Sequence, residues 1–333
     1  MGVVIAVDAM GGDSAPRSVV EGVLAATASD DLSVLLVGDE AVLRPLVGAS
    51  PRVEIRHAPD VIAQTADPAE AVRSRDTASI CVAARAVRAG EAQGLVSAGH
   101  SGATLAATAL VIGRAPGVLR PGLAAVLPGA VRPTVLIDAG ANLDTDARQL
   151  HQFAQLGTAF ARDTLGIDAP TCGLLAIGEE PGKGDARMKE AHALLAGDPA
   201  LAYRGSVEGR DLLTSLVDVI VADGFAGNVA LKACEGTARE AFRRVRAEAT
   251  GPRAALGGWL LRPALRRVRD SLDADTYGGA HLLGANAVAV VAHGSARPHG
   301  IAQACRYAAE GVRRRLLVSA RPLDFEQKAG CSG

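Results

Sequence analysis

Short glycine-rich loops with few charges follow several apolar runs of this sequence, and each precedes a segment with helical spacing. One of them is Ser97-Ala98-Gly99-His100-Ser101-Gly102. Its N–H groups and hydroxyls would stand at a helix start, where unpaired donors and the helix dipole stabilise an anion. The loop therefore indicates a phosphate site, with Ser97, Gly99, Ser101 and Gly102 as candidate contacts. An ordinary capped turn has the same composition.

Three further loops carry side chains suited to acyl or phosphate chemistry. Lys183 lies between glycines after a predicted strand, so its ammonium could reach a phosphate or a developing oxyanion, and a solvated surface lysine fits equally. Asn228 stands at a predicted helix start, where it could simply be the N-cap, and Lys232 follows one turn later on the same face. His293 follows a buried run, where a structural histidine is the commoner outcome.

Several familiar signatures are absent from the sequence. No G-x-G-x-x-G follows the first strand, which argues against a dinucleotide fingerprint. The run Gly178 to Gly184 has glycine where a P-loop needs Ser or Thr for magnesium, and it contains two glutamates. There is no G-x-S-x-G elbow, no H-E-x-x-H and no C-x-x-C. The sequence thus argues against ATP, hydrolase and zinc sites, and no metal ligands are predicted.

The elements that must position these loops are short β-branched runs alternating with helical patterns, which predicts an α/β fold with strands buried on both faces. We expect the polar loops at one edge of the sheet, where open α/β folds bind ligands. A long helix is predicted from Asp67-Pro68 to about Val87, and a terminal helix to about Val318. The predicted strands are 3–7, 32–37, 94–97, 135–138, 173–177, 217–223 and 288–292.

Composition limits the partners of the chain. It has 333 residues, 49% hydrophobic, with a net charge of -1 and only nine aromatic residues, which argues against disorder and against nucleic acid as a partner. The start has no basic segment before its apolar run, and the longest low-polarity stretch, Ala103 to Ile112, is too short to span a membrane. The sequence therefore predicts a soluble, cytoplasmic protein.

One basic segment departs from the α/β pattern. Between Arg239 and Arg269 there are nine arginines and two glutamates, around an apolar centre, 254–261, that contains the only tryptophan. Pro252 and Pro263 flank this centre and predict a helical hairpin with 254–261 at its tip. We take 1–320 as a single catalytic domain, 234–272 as a protruding hairpin and 321–333 as a flexible tail. Packing on a dimer partner is the alternative role for the hairpin.

The motifs together resemble the bacterial phosphate acyltransferases, and the resemblance covers nearly the whole chain. The chain departs from the family at His100-Ser101, where Asn-Thr is usual, and at His281, where proline is usual. The matching residues are Asp8-Ala9-Met10-Gly11-Gly12-Asp13 with Ala15-Pro16, Arg120-Pro121, Asp138-Ala139-Gly140-Ala141-Asn142, Gly178-Glu179-Glu180 with Lys183-Gly184, Glu208-Gly209-Arg210-Asp211, Asp223 to Lys232, Tyr277-Gly278-Gly279-Ala280 and His293-Gly294-Ser295.

The resemblance implies transfer of a long-chain fatty acyl group from acyl carrier protein to inorganic phosphate, giving acyl-phosphate for phospholipid synthesis. It implies no metal, nucleotide or redox cofactor. It also implies a doubly wound, mostly parallel, three-layer αβα fold, resembling phosphotransacetylase and isocitrate dehydrogenase, in a homodimer.

The resemblance also suggests roles for the candidate residues. Lys183 and Asn228 would stabilise the tetrahedral oxyanion, and His293 would protonate the leaving thiolate. Phosphate would be held by the 97–102 loop together with Asp8, Asp138, Asn142 and Lys232, with Asp138 acting through orienting hydrogen bonds. The hairpin tip, through Leu256, Trp259 and Leu260, would insert into an anionic membrane surface and make the protein peripherally membrane-associated.

Two other functions fit the same residues. A phosphotransacetylase-like enzyme acting on short acyl-coenzyme A would share the loops but would not need the hairpin. A non-catalytic membrane scaffold for lipid-synthesis enzymes would keep the hairpin and would not need Lys183, Asn228 and His293.

Overall fold

A computed structural model describes residues 2–29, 31–178, 180, 183–250, 252–272 and 274–314. The predicted tail, 321–333, and the end of the predicted terminal helix lie outside these residues. The strands are β1 (Val3–Asp8), β2 (Leu32–Gly38), β3 (Val53–His57), β4 (Gly94–Ser97), β5 (Gly122–Leu127), β6 (Thr134–Ile137), β7 (Thr171–Leu175), β8 (Ala202–Val207), β9 (Val219–Val221), β10 (Ala280–Leu283) and β11 (Val288–Val291). The helices are α1 (Arg17–Ser29), α2 (Glu40–Val47), α3 (Pro68–Ser74), α4 (Ser79–Arg88), α5 (Ser101–Ala107), α6 (Ala147–Leu165), α7 (Ala186–Gly197), α8 (Gly224–Glu248), α9 (Pro252–Ser271) and α10 (Pro298–Arg313).

All strands of the described residues belong to one sheet, in the order β3-β2-β1-β4-β11-β10-β5-β6-β9-β7-β8. The first five strands pair in parallel, and so do the last four. Between them, β10 pairs antiparallel with β11 and β5, and β5 pairs antiparallel with β6. The predicted α/β class with a mostly parallel sheet is confirmed.

The two parallel groups run in opposite directions, because three successive antiparallel pairings separate them. The carboxyl ends of β1, β4 and β11 therefore lie at one edge of the sheet, and those of β6, β7 and β9 lie at the other. The expectation that the polar loops share one edge was wrong. It assumed parallel strands throughout and did not include β5 and β10, which reverse the direction.

Helices cover both faces of the sheet and make three layers. Along β1, Ile5 and Val7 point into a cluster with α1 and α10, whereas Ala6 points into a cluster on the other face with α4. In the other half of the sheet, α6 and α7 cover the face to which Val135 and Ile137 point. Strands buried on both faces are apolar at nearly every position, which explains their continuous hydrophobic runs.

The predicted helix from Asp67 to Val87 is wrong in one respect, because it is two helices, α3 and α4. The chain leaves helical conformation at Arg75 and at Ala78. Ser79 N donates to the carbonyl of Asp60 at 2.9 Å, so a bond to a neighbouring loop replaces one within the helix. Helical periodicity continues across this break, which is why the sequence pattern did not reveal it.

The basic segment forms two helices, α8 and α9, but its apolar centre is not the connection between them. The connection is the short segment between Glu248 and Pro252, and α9 continues through Pro263. Proline removes the donor for the carbonyl four residues earlier, that of Trp259. This part of α9 is exposed, so water can satisfy that carbonyl.

Candidate active site

A cavity of about 190 Å³, here called the β5 cavity, lies against one face of the sheet. Leu123, Ala125 and Leu127 alternate along β5, so they present their side chains to this face. α5 contributes Ser101 and Leu105. The contribution of α8 recurs every three or four residues and therefore comes from one helix face; these residues are Asn228, Leu231, Lys232, Cys234, Glu235 and Ala238.

Three polar side chains that line the β5 cavity contact one another. Lys232 Nζ donates to Glu235 Oε2 at 2.8 Å and lies 3.3 Å from His293 Nε2. Glu235 Oε2 is 3.9 Å from His293 Nε2. On the other side of the imidazole, Ser295 Oγ is 2.8 Å from Nδ1. The cavity thus combines an apolar lining with one polar corner, in which the ammonium of Lys232 is paired with the carboxylate of Glu235.

The backbone fixes which nitrogen of His293 carries the proton. Ser295 N donates to Nδ1 at 3.2 Å, so Nδ1 is an acceptor and the neutral ring carries its hydrogen on Nε2. The ammonium of Lys232 and the Nε2–H of His293 are then two donors 3.3 Å apart. Two donors do not satisfy each other, but a single anionic oxygen can accept from both. This corner is therefore suited to bind an anion.

α8 brings the two edges of the sheet together. Its N-cap is Asp223, whose Oδ1 accepts from Ala226 N at 2.8 Å, so the alternative in which Asn228 is the N-cap was wrong. A side chain at Gly227 would overlap the carbonyl oxygen of Asp138, so glycine is what allows this approach. Asn228 and Glu235 are seven residues, or about 10 Å, apart along the helix. The helix therefore reaches from the loop after β6 to His293 after β11.

Asp138 organises the loop after β6. It is fully buried, and its Oδ1 accepts from the N–H groups of Leu123, Gly140 and Ala141 at 2.8–3.0 Å. Its Oδ2 accepts from N and Nδ2 of Asn142 at 2.7 and 2.8 Å. Burial raises the pKa of Asp138, and these hydrogen bonds oppose the increase. The carboxylate thus fixes the loop while Gly140 lines the β5 cavity; neither Asp138 nor Asn142 lines it.

A second buried network holds the loop after β4. Asp8 Oδ2 accepts from Ser97 Oγ at 2.8 Å, and Ser97 Oγ in turn accepts from Gly99 N at 3.1 Å. Burial raises the pKa of Asp8, and the hydrogen bonds from Ser79 and Ser97 oppose the increase. Asp8 and Gly99 are not among the residues that line the β5 cavity; they line a separate space of about 10 Å³, which is too small for phosphate. Both networks therefore support loops behind the β5 cavity.

In the rest of that loop, Ser101 lines the β5 cavity, whereas Gly102 packs near Pro68. His100 is the N-cap of α5, and its Nδ1 accepts from Ala103 N at 3.4 Å. An imidazole nitrogen here does what the side-chain oxygen of the family's usual asparagine would do. This departure from the family pattern therefore preserves a cap.

Lys183 stands apart from the β5 cavity. It follows β7, its side chain is 53% exposed, and its Nζ lies 3.6 Å from Glu180 Oε2. It is not among the residues that line the cavity. The structure thus brings together Ser101, Asn228, Lys232 and His293, and it does not bring Lys183 to them.

Sequence reasoning missed Glu235 and Ser295. The signal for Glu235 was its position three residues after Lys232 on a predicted helix, which places opposite charges on one face. The signal for Ser295 was the His-Gly-Ser turn, in which a side-chain nitrogen can accept from the backbone two residues later.

The second departure from the family, His281, lies on β10 away from the polar corner. It is buried, with ring centroids 5.0 Å from Phe160 and 6.1 Å from Tyr307. Burial lowers the pKa of His281 to about 4, so the ring is neutral near pH 7.

The hairpin residues proposed to contact a membrane lie on α9. Trp259 and Leu260 are 67% and 64% exposed. The side chain of Leu256 lies outside what the structure describes. Among the described residues, no helix is both long and apolar enough to cross a bilayer.

Comparison with known proteins connects this site to a family. The sequence model of the family described as "Fatty acid synthesis protein" matches residues 3–319. The chain is 47% identical over 324 residues to the "Phosphate acyltransferase" of Thermobifida fusca, covering 95% of this chain and 90% of that protein. It is 45% identical over 319 residues to the protein of the same name from Nitratidesulfovibrio vulgaris strain DP4, covering 94% and 92%.

Solved structures show the same fold at low sequence identity. A phosphotransacetylase from Streptococcus pyogenes is similar with a TM-score of 0.63 and 18% identity, covering 94% of each chain. A 4-hydroxythreonine-4-phosphate dehydrogenase from Klebsiella pneumoniae gives 0.51 and 14%, covering 94% and 99%. From the match to the family model and the identity to its relatives, this chain belongs to the phosphate acyltransferase family and is an acyltransferase.

Proposed function

We propose that this chain transfers an acyl group from a thioester to inorganic phosphate, which binds beside Lys232 and His293. The observation that carries the proposal is the pair of donors, Nζ and Nε2, 3.3 Å apart at the corner of an apolar cavity. Phosphate supplies an anionic oxygen that can accept hydrogen bonds from both donors, and the acyl chain supplies the apolar surface that the lining buries.

The reaction needs little acid or base from the protein. A phosphate oxygen attacks the thioester carbon, the tetrahedral oxyanion collapses, and the carbon–sulfur bond breaks to release a thiolate. The hydrogen phosphate that attacked loses its proton as it becomes the acyl-phosphate dianion, and the thiolate accepts one, so the protons balance. A thiolate with a pKa near 8.5 leaves readily. Positioning and oxyanion stabilisation are therefore the main tasks of the site.

The residues divide these tasks. Lys232 and His293 hold phosphate, and His293 acts as a hydrogen-bond donor because its Nδ1 already accepts from Ser295 N. Asn228 Nδ2 donates one hydrogen to the carbonyl of Ala139 at 3.1 Å, and its second hydrogen has no acceptor among the described residues. That second hydrogen is available to the oxyanion. Lys183 does not line the β5 cavity, so its proposed role as an oxyanion partner rests on the resemblance of its loop alone.

The donor we propose is long-chain acyl carrier protein, with acyl-phosphate made for phospholipid synthesis. Leucines from five different segments line the cavity, Leu105, Leu123, Leu213, Leu231 and Leu272 among them, which suits an aliphatic chain better than an acetyl group.

The test is acyl-phosphate formation by the purified protein, trapped as the hydroxamate after addition of hydroxylamine. We expect turnover with long-chain acyl carrier protein plus phosphate, and at least tenfold lower kcat/KM with acetyl-coenzyme A. Faster turnover of acetyl-coenzyme A would favour the phosphotransacetylase-like function. No acyl-phosphate from either donor would overturn the proposal and leave the scaffold function.

We also propose that the protein is a cytoplasmic homodimer whose hairpin, 234–272, extends from a single catalytic domain, 1–320, and docks on anionic membranes. The exposed Trp259 and Leu260 amid arginines support this docking. We expect Trp259→Glu/Leu260→Glu to abolish co-sedimentation with vesicles rich in anionic lipid. The matched control is Val131→Glu/Leu143→Glu, at exposed apolar positions outside the hairpin. Equal loss in both variants, or dissociation of the first into monomers, would contradict docking by the hairpin.

A further inference from the structure

One end of the β5 cavity, here called the end wall, is formed by Leu127, Pro128 and Leu213. We infer that the end wall meets the methyl end of the bound acyl chain, and that Leu213 determines which chain length the enzyme prefers. The inference rests on the proposed function and adds a specificity-determining residue to it. Acyl transfer itself does not require the chain to end at any particular side chain.

Strand register shows how the end wall is placed relative to the polar corner. The pairing of β10 sets Ala280 beside Val291 of β11 and, continued by one residue, beside Ala125 of β5. Because β10 is antiparallel to both neighbours, β11 and β5 run in the same direction, so Leu127 is level with His293. The two residues are two strand spacings apart, about 10 Å across the sheet. The polar corner and the end wall therefore lie at opposite sides of the cavity.

Small and apolar residues line the path between these two sides. Gly279 and Ala280 of β10 and Ala125 of β5 lie on the sheet side of the cavity, and Leu231 and Cys234 lie on the α8 side. The three residues on the sheet side carry a hydrogen atom or a single methyl group, so an alkyl chain can cross the strands without meeting a bulky side chain. The charged groups of the lining all belong to the polar corner. The path is therefore suited to an alkyl chain whose carbonyl end lies at that corner.

Hydrogen bonds between two loops hold the end wall in place. Ala130 N donates to the carbonyl of Leu213 at 2.8 Å. Ser215 Oγ accepts from Val131 N at 3.1 Å and from Arg132 N at 3.3 Å, and it donates to the carbonyl of Arg132 at 2.9 Å. These bonds join the turn between β5 and β6 to the segment before β9. An acyl chain that is too long cannot displace the wall without breaking them, so the wall can act as a stop.

Leu213 is the member of the end wall that can be changed with the least effect on the core. Leu127 is only 3% exposed and belongs to the buried core, whereas Leu213 is half-buried and packs against that core. Replacing leucine with alanine removes three carbon atoms, which leaves space for about two or three methylene groups of an acyl chain. Each methylene that gains a buried site should raise kcat/KM about fourfold.

The experiment measures kcat/KM of the full-length protein, at saturating phosphate, for acyl carrier proteins with saturated chains of even carbon number from hexanoyl to stearoyl. We expect Leu213→Ala to move the preferred length up by about two carbons and Leu213→Trp to move it down by about two or more. A hexanoyl chain spans only about 6 Å and does not reach the end wall, so its kcat/KM should change less than threefold in both variants. Leu213→Phe, a smaller enlargement, replaces Leu213→Trp if the latter does not fold.

The matched control is Leu216→Ala, which makes the same substitution three residues later. Leu216 is 60% exposed and does not line the β5 cavity, so this variant should keep the wild-type chain-length profile. A shift in Leu216→Ala equal to that in Leu213→Ala, or an equal fall in kcat/KM at every chain length, would mean a general structural effect and would overturn the inference. Leu105→Ala tests the α5 side of the cavity. A shift in Leu105→Ala without one in Leu213→Ala would place the end of the chain against α5 and would also overturn it.

Failure of this inference is distinguishable from failure of the proposed function. If the wild-type protein forms no acyl-phosphate from any of these donors, the proposed function fails. If the wild-type protein forms acyl-phosphate and the Leu213 variants keep its chain-length profile, only the role of the end wall fails.

Discussion

Replacing Lys232 with alanine tests the proposed phosphate site most directly. An ammonium about 3 Å from a phosphate oxygen gains about 5 kcal/mol per unit charge at an effective dielectric constant of 20, and about 1.4 kcal/mol at that of water. The side chain of Lys232 is 49% exposed, and its ammonium also pairs with Glu235. Screening therefore places the net contribution of Lys232 to phosphate binding between these two energies. We take about 3 kcal/mol, which corresponds to a fall in kcat/KM for phosphate of about 100-fold.

The kinetic signature of this change is as informative as its size. Lys232 would contact the phosphate before the reaction as well as in the transition state, so its loss should appear mainly as a higher KM for phosphate. The assay measures release of the free thiol from acyl carrier protein while phosphate is varied. Lys189→Ala is the control, because Lys189 is an exposed lysine of α7 outside the β5 cavity.

Two further variants complete the test of the corner. Lys232→Arg keeps the charge and should recover part of the activity. Glu235→Gln removes the carboxylate that holds the ammonium at 2.8 Å, so it should alter the KM for phosphate more than kcat. A folded Lys232→Ala protein with kcat/KM within threefold of wild type would refute the reasoning, because the phosphate would then bind elsewhere.

Three other changes have definite expected results. Lys183→Ala should lower kcat by a factor of 10² to 10³ with little change in KM for phosphate or in Tm, since a donor to the oxyanion acts in the transition state. A kcat within threefold of wild type would show that Lys183 is a surface residue without a catalytic role. Gly227→Ala should lower the free energy of unfolding by about 1–3 kcal/mol, because the new methyl group overlaps the carbonyl of Asp138. Gly236→Ala, on the same helix with open space around it, should raise the free energy of unfolding by about 0.5–1 kcal/mol. Changes of the same sign in urea unfolding of both variants would contradict this packing. His281, with its pKa lowered to about 4, favours the folded state fully above pH 6.5 and loses that contribution as the pH falls from 6.5 to 4, because only the unfolded chain then binds the proton. Between pH 7 and pH 5 the wild-type protein should therefore lose about 2 kcal/mol more than His281→Phe in urea unfolding, and parallel pH profiles would show that the ring is not buried in the neutral form.

The sequence predicts the α/β class well because strands buried on both faces carry long β-branched runs. Seven strand positions were identified in this way, but β3, β5, β8 and β10 were not. Glu54, Arg56 and His57 interrupt the apolar pattern of β3, and β8 begins with exposed and half-buried residues. β5 is Gly-Leu-Ala-Ala-Val-Leu, whose alanines are as typical of helices as of strands. Pairing direction is a tertiary property, so no local pattern revealed that β5 and β10 reverse the sheet.

Of the site residues predicted from the sequence, Ser101, Asn228, Lys232 and His293 line the β5 cavity, whereas Glu235 and Ser295 were missed. Glycine loops after strands look alike in sequence whether they face a ligand or support another loop. The structure separates the two kinds of loop residue by burial. Ser97 and Asp138 are buried and hydrogen-bond to neighbouring backbone and side chains. Ser101, Lys232 and His293 line the β5 cavity instead. The tautomer of His293 depends on the hydrogen bond from Ser295 N, so it could be assigned from the structure but not from the sequence.

A single helix, α8, accounts for how polar loops from opposite edges of the sheet can serve one site. Its glycine-mediated contact with the loop after β6 places Asn228 at one end of the β5 cavity. One turn later Lys232, and two turns later Glu235, meet His293, which follows a strand running in the opposite direction. Beyond Glu235 the same helix continues as the first helix of the hairpin, with α9 as the second. Asn228, Lys232 and Glu235 therefore lie on one rigid element, which is about 30 Å long from Asn228 to Glu248 by helical rise. Such a helix holds these three side chains at a fixed spacing, so loops from opposite edges of the sheet can serve one site without any change in the fold.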